Sequence, residues 1–263
     1  MFSFRRFKIE QFELVHQRLP AGAPALSVVQ ISDAHLREWG TQHDMLLETV
    51  NGLGADFVLL TGDFLTPSPQ SLESAARLIR NLRCAHGVFA SRGNWEVNYG
   101  PPLRRLREML GAWGATLLVN ESRNFATASG RVRVIGLDSL LRGQPDLSAA
   151  LASSHSESPA DFTALLCHEP LAAVMLPKGH RVDLVLSGHT HGGQIRIPWL
   201  WRRLLPACSS RFTDGLYKLD GFHLYVSRGF GAVGTGKLRF NCPAEVALFR
   251  IVSPAATGQT NSP

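Results

Sequence analysis

Short apolar runs that stop, again and again, at a carboxylate, an imidazole or a carboxamide constrain this chain more than any other feature of its sequence. Residues 26–31 run into Ser32, Asp33, Ala34 and His35; residues 57–60 into Thr61, Gly62 and Asp63; residues 88–90 lead to Arg92, Gly93 and Asn94. The runs are rich in Val, Leu, Ile and Phe, as strands buried on both faces of a parallel sheet must be. Helical spacing over 43–53, 72–82 and 103–110 separates them, which predicts βαβ units. Further strands are expected at 132–137, 162–167 and 184–186, running into Asp138, His168 with Glu169, and Gly188 with His189. In such folds ligands gather beyond the carboxyl ends of the strands.

The C-terminal third has a different texture. Strand-like residues 216–219 and 222–226 flank Asp220 and Gly221, a hairpin signal. Gly229, Gly231, Gly234 and Gly236 then mark a flexible loop, and 245–252 a last strand. With 263 residues, 44% of them hydrophobic, the chain can bury a sizeable core. One domain over 1–252 is expected, followed by a disordered tail over 253–263 whose small polar residues cannot build a core.

Lys and Arg exceed Asp and Glu by 27 to 21, a formal charge of +6. That excess suits an anionic ligand, nucleic acid or an anionic membrane without choosing among them. No stretch approaches the ~18 apolar residues of a membrane span, and no apolar leader segment opens the chain. A cytoplasmic protein is therefore expected. Two segments allow a peripheral position at the inner face of the membrane: Phe2, Phe4, Arg5, Arg6, Phe7 and Lys8, and Trp199 to Leu205 with Arg202 and Arg203. Rings sit at headgroup depth while cations meet anionic lipid; an edge strand and a partly buried loop are the plainer alternatives. Cys84, Cys167, Cys208 and Cys242 are too scattered for a disulfide framework and are expected as buried, reduced thiols.

Taken singly, the polar strand ends say little. Asp33 and His35, two apart, project to one side of an extended segment, and a carboxylate with an imidazole suits Mn, Fe, Zn or Co better than Ca. Gly62-Asp63 and Gly93-Asn94 are also ordinary turn dipeptides, and His168 after a buried strand is also what a core histidine looks like. The run Gly188, His189, Thr190, His191 is sharper, with two imidazoles two residues apart in a backbone that glycines let turn tightly.

In order, the strings VVQISDAHL, VLLTGDF, SRGNWE, LLCHEP and LVLSGHTHGGQIRIP, with the later YVSRGFG and LRFNCPAEV, resemble the calcineurin-like metallophosphoesterase superfamily and, within it, the small bacterial phosphodiesterases. The resemblance runs from about Val28 to about Ile251. It implies a four-layer αββα sandwich of two mixed sheets, an α/β fold that counting strands does not fix. It also implies two divalent ions, with Asp33, His35 and His191 holding one, Asn94, His168 and His189 the other, and Asp63 bridging them. Among these, Asp63, Asn94 and His189 are expected to take part in catalysis. Two ions ~3.5–4 Å apart lower the pKa of a bridging water, whose hydroxide is the nucleophile, and clamp attacking and leaving oxygens. Mn²⁺ fits the mixed oxygen and nitrogen donors best, with Fe or Zn as alternatives.

The chain departs from the family at one position. Where a His usually follows the metal-binding Asn, this sequence has Trp95. An indole donates one hydrogen bond but exchanges no proton at neutral pH, so general-acid help is lost there and good leaving groups, such as the phosphate of a pyrophosphate, suffer least. Trp95 is then either a packing residue or a wall for a base or acyl chain. His43 and His86 are candidates to replace the missing imidazole in space, and Glu96 is either a support for the site or a surface charge. Arg37 and Arg92 lie beside ligand motifs and could grip phosphate oxygens in a fork.

The sequence thus predicts a metal-dependent phosphohydrolase acting on a phosphodiester or pyrophosphate. One branch is a UDP-2,3-diacylglucosamine pyrophosphatase of lipid A assembly at the membrane surface. The alternative of another class is a metal-binding scaffold without turnover. Nucleic acid is not expected as a partner, because no basic stripe interleaved with aromatics is present.

Overall fold

The computed structural model describes residues 7–152, 159–201, 211–234 and 238–254. The first sheet has the order β1 (Phe7–Val15), β12 (Ala244–Val252), β2 (Leu26–Ile31), β3 (Phe57–Thr61), β4 (Gly87–Ser91), β5 (Ala115–Leu117). The second has the order β10 (Gly215–Lys218), β11 (His223–Val226), β9 (Leu184–Ser187), β8 (Phe162–Leu166), β7 (Gly130–Gly136), β6 (Glu121–Thr127). Parallel and antiparallel pairs occur in both, with β2 to β5 running parallel and β12 antiparallel to β2.

Three apolar layers hold the sandwich together, and the period of the strand sends neighbouring side chains to different ones. In β3, Val58 and Leu60 face Leu46 of α1 (Thr41–Gly52), Leu78 of α2 (Ser71–Asn81) and Leu106 of α4 (Leu103–Trp113). Phe57 and Leu59 face the opposite way, into the layer between the sheets, where they join Phe89, Val134, Phe162, Leu166 and Phe249. Outside the second sheet, Ile135, Leu165, Val185 and Leu224 pack under Ala150 of α5 (Leu147–Leu151) and Ala172 of the 3-10 turn Pro170–Val174. The two sheets are thus layered face to face with helical segments outside each, the αββα arrangement.

Some elements carry no periodic signal. β1, β5 and β6 have mixed sequences and become strands by pairing: β1 alternates Ile9, Phe12 and Leu14 with Lys8, Glu10, Gln11 and Glu13 along an edge. Cys84 is half-buried rather than buried, while Cys167 and Cys242 are buried, all three as free thiols; Cys208 lies outside the described residues. Of the anticipated membrane segments, Phe7 is buried in β1 and Trp199 is 96% exposed. Residues 2–6, 202–205 and 255–263 and Gly236 lie outside the described residues. No helix among the described residues is long and apolar enough to cross a membrane.

Candidate metal centre

Strands of both sheets deliver their next residues to one place. Asp33 lies two residues past β2, Asp63 two past β3, His168 two past β8 and His189 two past β9; Asn94 opens α3 (Asn94–Tyr99) after β4, and His191 starts a 3-10 turn. Five of these residues have left-handed backbone: Asp33 (φ 49°), His35 (φ 42°), Asp63 (φ 53°), His189 (φ 70°) and His191 (φ 50°). Asp and His tolerate this region better than most residues but still carry a local cost. Surrounding bonds fix it: Asp33 N–H donates to the Gly62 carbonyl at 3.1 Å and His35 N–H to the Asp63 carbonyl at 2.9 Å. From the other side, Phe230 and Gly231 N–H donate to the carbonyls of Ser32 and Asp33.

The donor atoms converge. His35 Nε2 and His191 Nε2 are 3.0 Å apart, and His191 Nε2 is 3.4 Å from Asp33 Oδ1. Asp63 Oδ2 stands between two rings, 3.1 Å from His168 Nε2 and 3.9 Å from His35 Nε2. Its Oδ1 accepts the backbone N–H of Trp95 at 2.8 Å, which orients the carboxylate. Beside them His189 Nδ1 lies 3.0 Å from Asn94 Oδ1, and the His168 and His189 rings meet edge to face at 5.2 Å. Every residue of the expected metal set is therefore in one cluster. Two groups have donor atoms all within 4.8 Å of one another: Asp33, His35 and His191, and Asp33, Asp63 and His168.

The electrostatics suit cations. Burial drives His35 down to about 4 and His189 to about 4, the latter helped by charge at His168, while burial and His35 press His191 well below the usual imidazole value. These rings are neutral at pH 7 and offer lone pairs. Two such nitrogens 3.0 Å apart, with His35 Nδ1 buried and without a hydrogen-bond partner, are what a divalent ion would reconcile. Asp33 is pushed up to about 6 by burial, eased by His168 and added to by Asp63. At His168 burial disfavours the proton, yet the Asp63 and Asp33 carboxylates outweigh it and hold the ring well above its ordinary value. The carboxylates call for positive charge at that point. The residues fit divalent metal ions.

Supporting groups, only some of them legible in sequence, hold the ligands. Glu96 is 1% exposed and accepts the N–H groups of Asp63 at 2.7 Å, Gly93 at 2.8 Å and Leu65 at 2.8 Å, so it supports the site and is no surface charge. The backbone N–H of His189 lies 3.1 Å from both Asp33 oxygens, Ser32 Oγ donates to Asp33 Oδ2, and His168 Nδ1 donates to the Thr61 carbonyl at 2.8 Å. Such bonds fix ring orientation and tautomer. The SRG and GFG strings contain Gly93 and Gly231, where a Cβ would meet Asp63 Oδ1 at 2.1 Å and the Ala34 carbonyl oxygen at 2.3 Å.

Two expected roles change. Arg92 is not free for a phosphate: its guanidinium makes a two-pronged pair with Asp138 at 2.9 and 2.6 Å, with side chains 11% and 2% exposed. A buried fork is already satisfied there. His86 precedes β4 and stacks on Phe57, at the end of the strand away from the metal cluster, and is no substitute for the missing imidazole. Trp95 packs edge to face on His35 at 4.7 Å and touches Tyr99 at 5.2 Å, forming one wall of the centre. Arg37 and His43 line a cavity beside His35.

Residues 26–193 match the calcineurin-like phosphoesterase family. The chain is 32% identical over 241 residues to the uncharacterized metallophosphoesterase YkuE of Bacillus subtilis, covering 89% of this chain and 82% of that protein. It is 33% identical over 236 residues to an uncharacterized metallophosphoesterase of Helicobacter pylori, covering 86% of this chain but 60% of the relative's length. It is also 28% identical over 251 residues to the phosphodiesterase YaeI of Escherichia coli, covering 92% and 88%. Matched family, converging donors and electrostatics agree, and the chain belongs to the calcineurin-like phosphoesterases, as a metal-dependent phosphoric ester hydrolase.

Proposed function

We infer that the chain hydrolyses a phosphodiester or pyrophosphate with two divalent ions, held by Asp33, His35, His191 and Asp63 on one side and by Asp63, Asn94, His168 and His189 on the other. The observation that carries this is Asp63 Oδ2 lying between His168 Nε2 and His35 Nε2, at 3.1 and 3.9 Å. A phosphodiesterase among the relatives supports the ester class. Bound divalent ions supply Lewis acidity and activate water at neutral pH, and manganese suits these donors.

The chain's own residues then do the rest. Neutral His35, His189 and His191 and the carboxamide of Asn94 add donors without negative charge, so the field toward a phosphate stays positive. Asp63 is held below its ordinary pKa, His168 and the Trp95 N–H outweighing the burial that would raise it, and stays ionised across the working pH range. Trp95 shields His35 from one side but cannot protonate a departing alkoxide. The reaction is therefore fastest where the leaving oxygen is already acidic, as in an aryl ester or an anhydride.

The test is turnover of bis-p-nitrophenyl phosphate by chelator-stripped protein after Mn²⁺ is returned, beside Asp63→Asn. Restored turnover that the variant lacks, by a factor of about 10² or more, is the expected result. An inert wild-type chain with every divalent metal would leave only metal binding.

A further inference from the structure

A ribbon of two short segments runs beside His191. Ile195 pairs in parallel with Phe240, with Arg196 N–H donating to the Phe240 carbonyl at 2.9 Å and Phe240 N–H to the Gln194 carbonyl at 3.0 Å. Successive side chains of such a ribbon go to opposite faces. Arg196 and Arg239 turn inward. Arg196 Nε–H donates to the Gly192 carbonyl at 2.6 Å, and Arg239 donates to the carbonyls of Gly229 and Gly231 with its Nη2 3.4 Å from His191 Nδ1. Ile195 and Ile197 on one segment, and Leu238 and Phe240 on the other, take the outer face, and all four are exposed.

The apolar surface continues past the ribbon. Leu200 N–H donates to the Ile197 carbonyl at 3.2 Å, closing a turn that leaves Leu200 exposed and Trp199 exposed almost completely. Half of the large hydrophobic side chains exposed among the described residues lie in these two segments. Single exposed apolar side chains are ordinary, but a group of them on one paired ribbon and its adjoining turn marks a surface that something covers.

Charge decides what covers it. From Gly192 to Thr213 the sequence has four arginines and no carboxylate, and from Gly221 to Ala244 it has Arg228, Lys237 and Arg239 and again no carboxylate. Asp214, the next acid, is neutralised by Arg196 at 2.5 Å. Arg211 is exposed, with its guanidinium 5.3 Å from the Phe212 ring centroid. A second copy docked about a twofold axis would set these like charges against one another. A bilayer with anionic headgroups is complementary in both respects: cations meet the phosphates, while the indole and the aliphatic side chains enter the boundary beneath them.

We propose that the outer face of this ribbon, together with Trp199 and Leu200, docks on an anionic membrane surface and holds the adjoining metal-ligand run, His189 to His191, beside the headgroups. Docking of this kind goes beyond the hydrolase reading and is independent of the reaction. It uses a surface assembled from Ile195 and Phe240, 45 residues apart in the chain, with their neighbours; only the Trp199 segment of it is legible in the sequence.

Co-sedimentation of the full chain with phosphatidylcholine vesicles, with and without phosphatidylglycerol, tests it. Binding is expected to be at least about tenfold tighter with phosphatidylglycerol, since each cation near an anionic surface contributes roughly fivefold, and added salt should weaken it. Trp199→Ser and Leu238→Ser should each weaken binding about fivefold or more, because an apolar anchor is lost. Val15→Ser, which removes an exposed apolar side chain of β1, should leave binding unchanged. Unchanged melting temperatures identify the variants as folded, and the two vesicle types compared on the wild-type chain decide the matter even where a variant fails to fold. Equal binding to neutral and anionic vesicles, no binding to either, or a loss in Val15→Ser as large as in Trp199→Ser overturns the proposal. So does dimerisation without lipid, seen by analytical ultracentrifugation and abolished in Trp199→Ser and Leu238→Ser, which gives the face to a second copy of the chain.

Discussion

The carboxylate of Glu96 accepts the backbone N–H of Asp63 at 2.7 Å, although 33 residues separate them. The same oxygen caps α3 by accepting Gly93 N–H, so one buried side chain positions the central carboxylate ligand and starts the helix that carries Asn94.

That position makes Glu96 a pH-dependent element. Burial, with the Asp63 charge added, pushes it up to about 7 from an ordinary value near 4.5. Folding therefore raises its pKa, so its favourable contribution is complete below the unfolded value and disappears as pH rises through about 7. In chelator-treated protein, wild type should lose stability relative to Glu96→Gln between about pH 4.5 and 7. Glu96→Gln should also start less stable by about 1–3 kcal/mol, because an amide NH₂ replaces an acceptor facing backbone donors. Urea midpoints across that range check both; identical pH slopes would remove Glu96 as the titrating group.

Gly188 tests how tightly the two sheets meet. A Cβ there would stand 2.0 Å from Ser32 Oγ and 2.1 Å from Asp33 Oδ2, displacing a ligand of the first sheet by a group from the second. Gly188→Ala should cost about 1–3 kcal/mol and lower the metal bound per chain. Thermal unfolding with metal analysis measures this, and full metal content at an unchanged melting temperature would contradict the close approach.

Trp95 sets a leaving-group preference. Its backbone N–H donates to Asp63 Oδ1 whatever the side chain, so Trp95→His keeps that bond and adds an exchangeable proton near the leaving oxygen. Turnover of an alkyl phosphodiester should rise about 10²-fold or more relative to bis-p-nitrophenyl phosphate, the lower end of what a general acid contributes. Equal change for both esters would mean the position does not reach the leaving group.

The sequence by itself determined where the strands end and which donors stand there. Buried parallel strands announce themselves as unbroken apolar runs, and Asp33, Asp63, His168 and His189 each stand two residues past one. Of the edge elements, β1 was open in the sequence only as an alternative to a membrane segment, because its partner β12 lies at the other end of the chain, and β6 was illegible because polar residues dilute its alternation. Which groups support the ligands was also decided only in three dimensions. Glu96 and Arg92 are both charged residues near Asn94, and nothing local tells that one accepts three backbone N–H groups while the other is neutralised by Asp138, 46 residues on. Hydrogen bonds and ion pairs of that kind form between strand ends that only the packing of two sheets brings together. The cavity beside His35 likewise exists because a loop of the second sheet closes on the first helix, a contact between segments about 190 residues apart that no local pattern encodes.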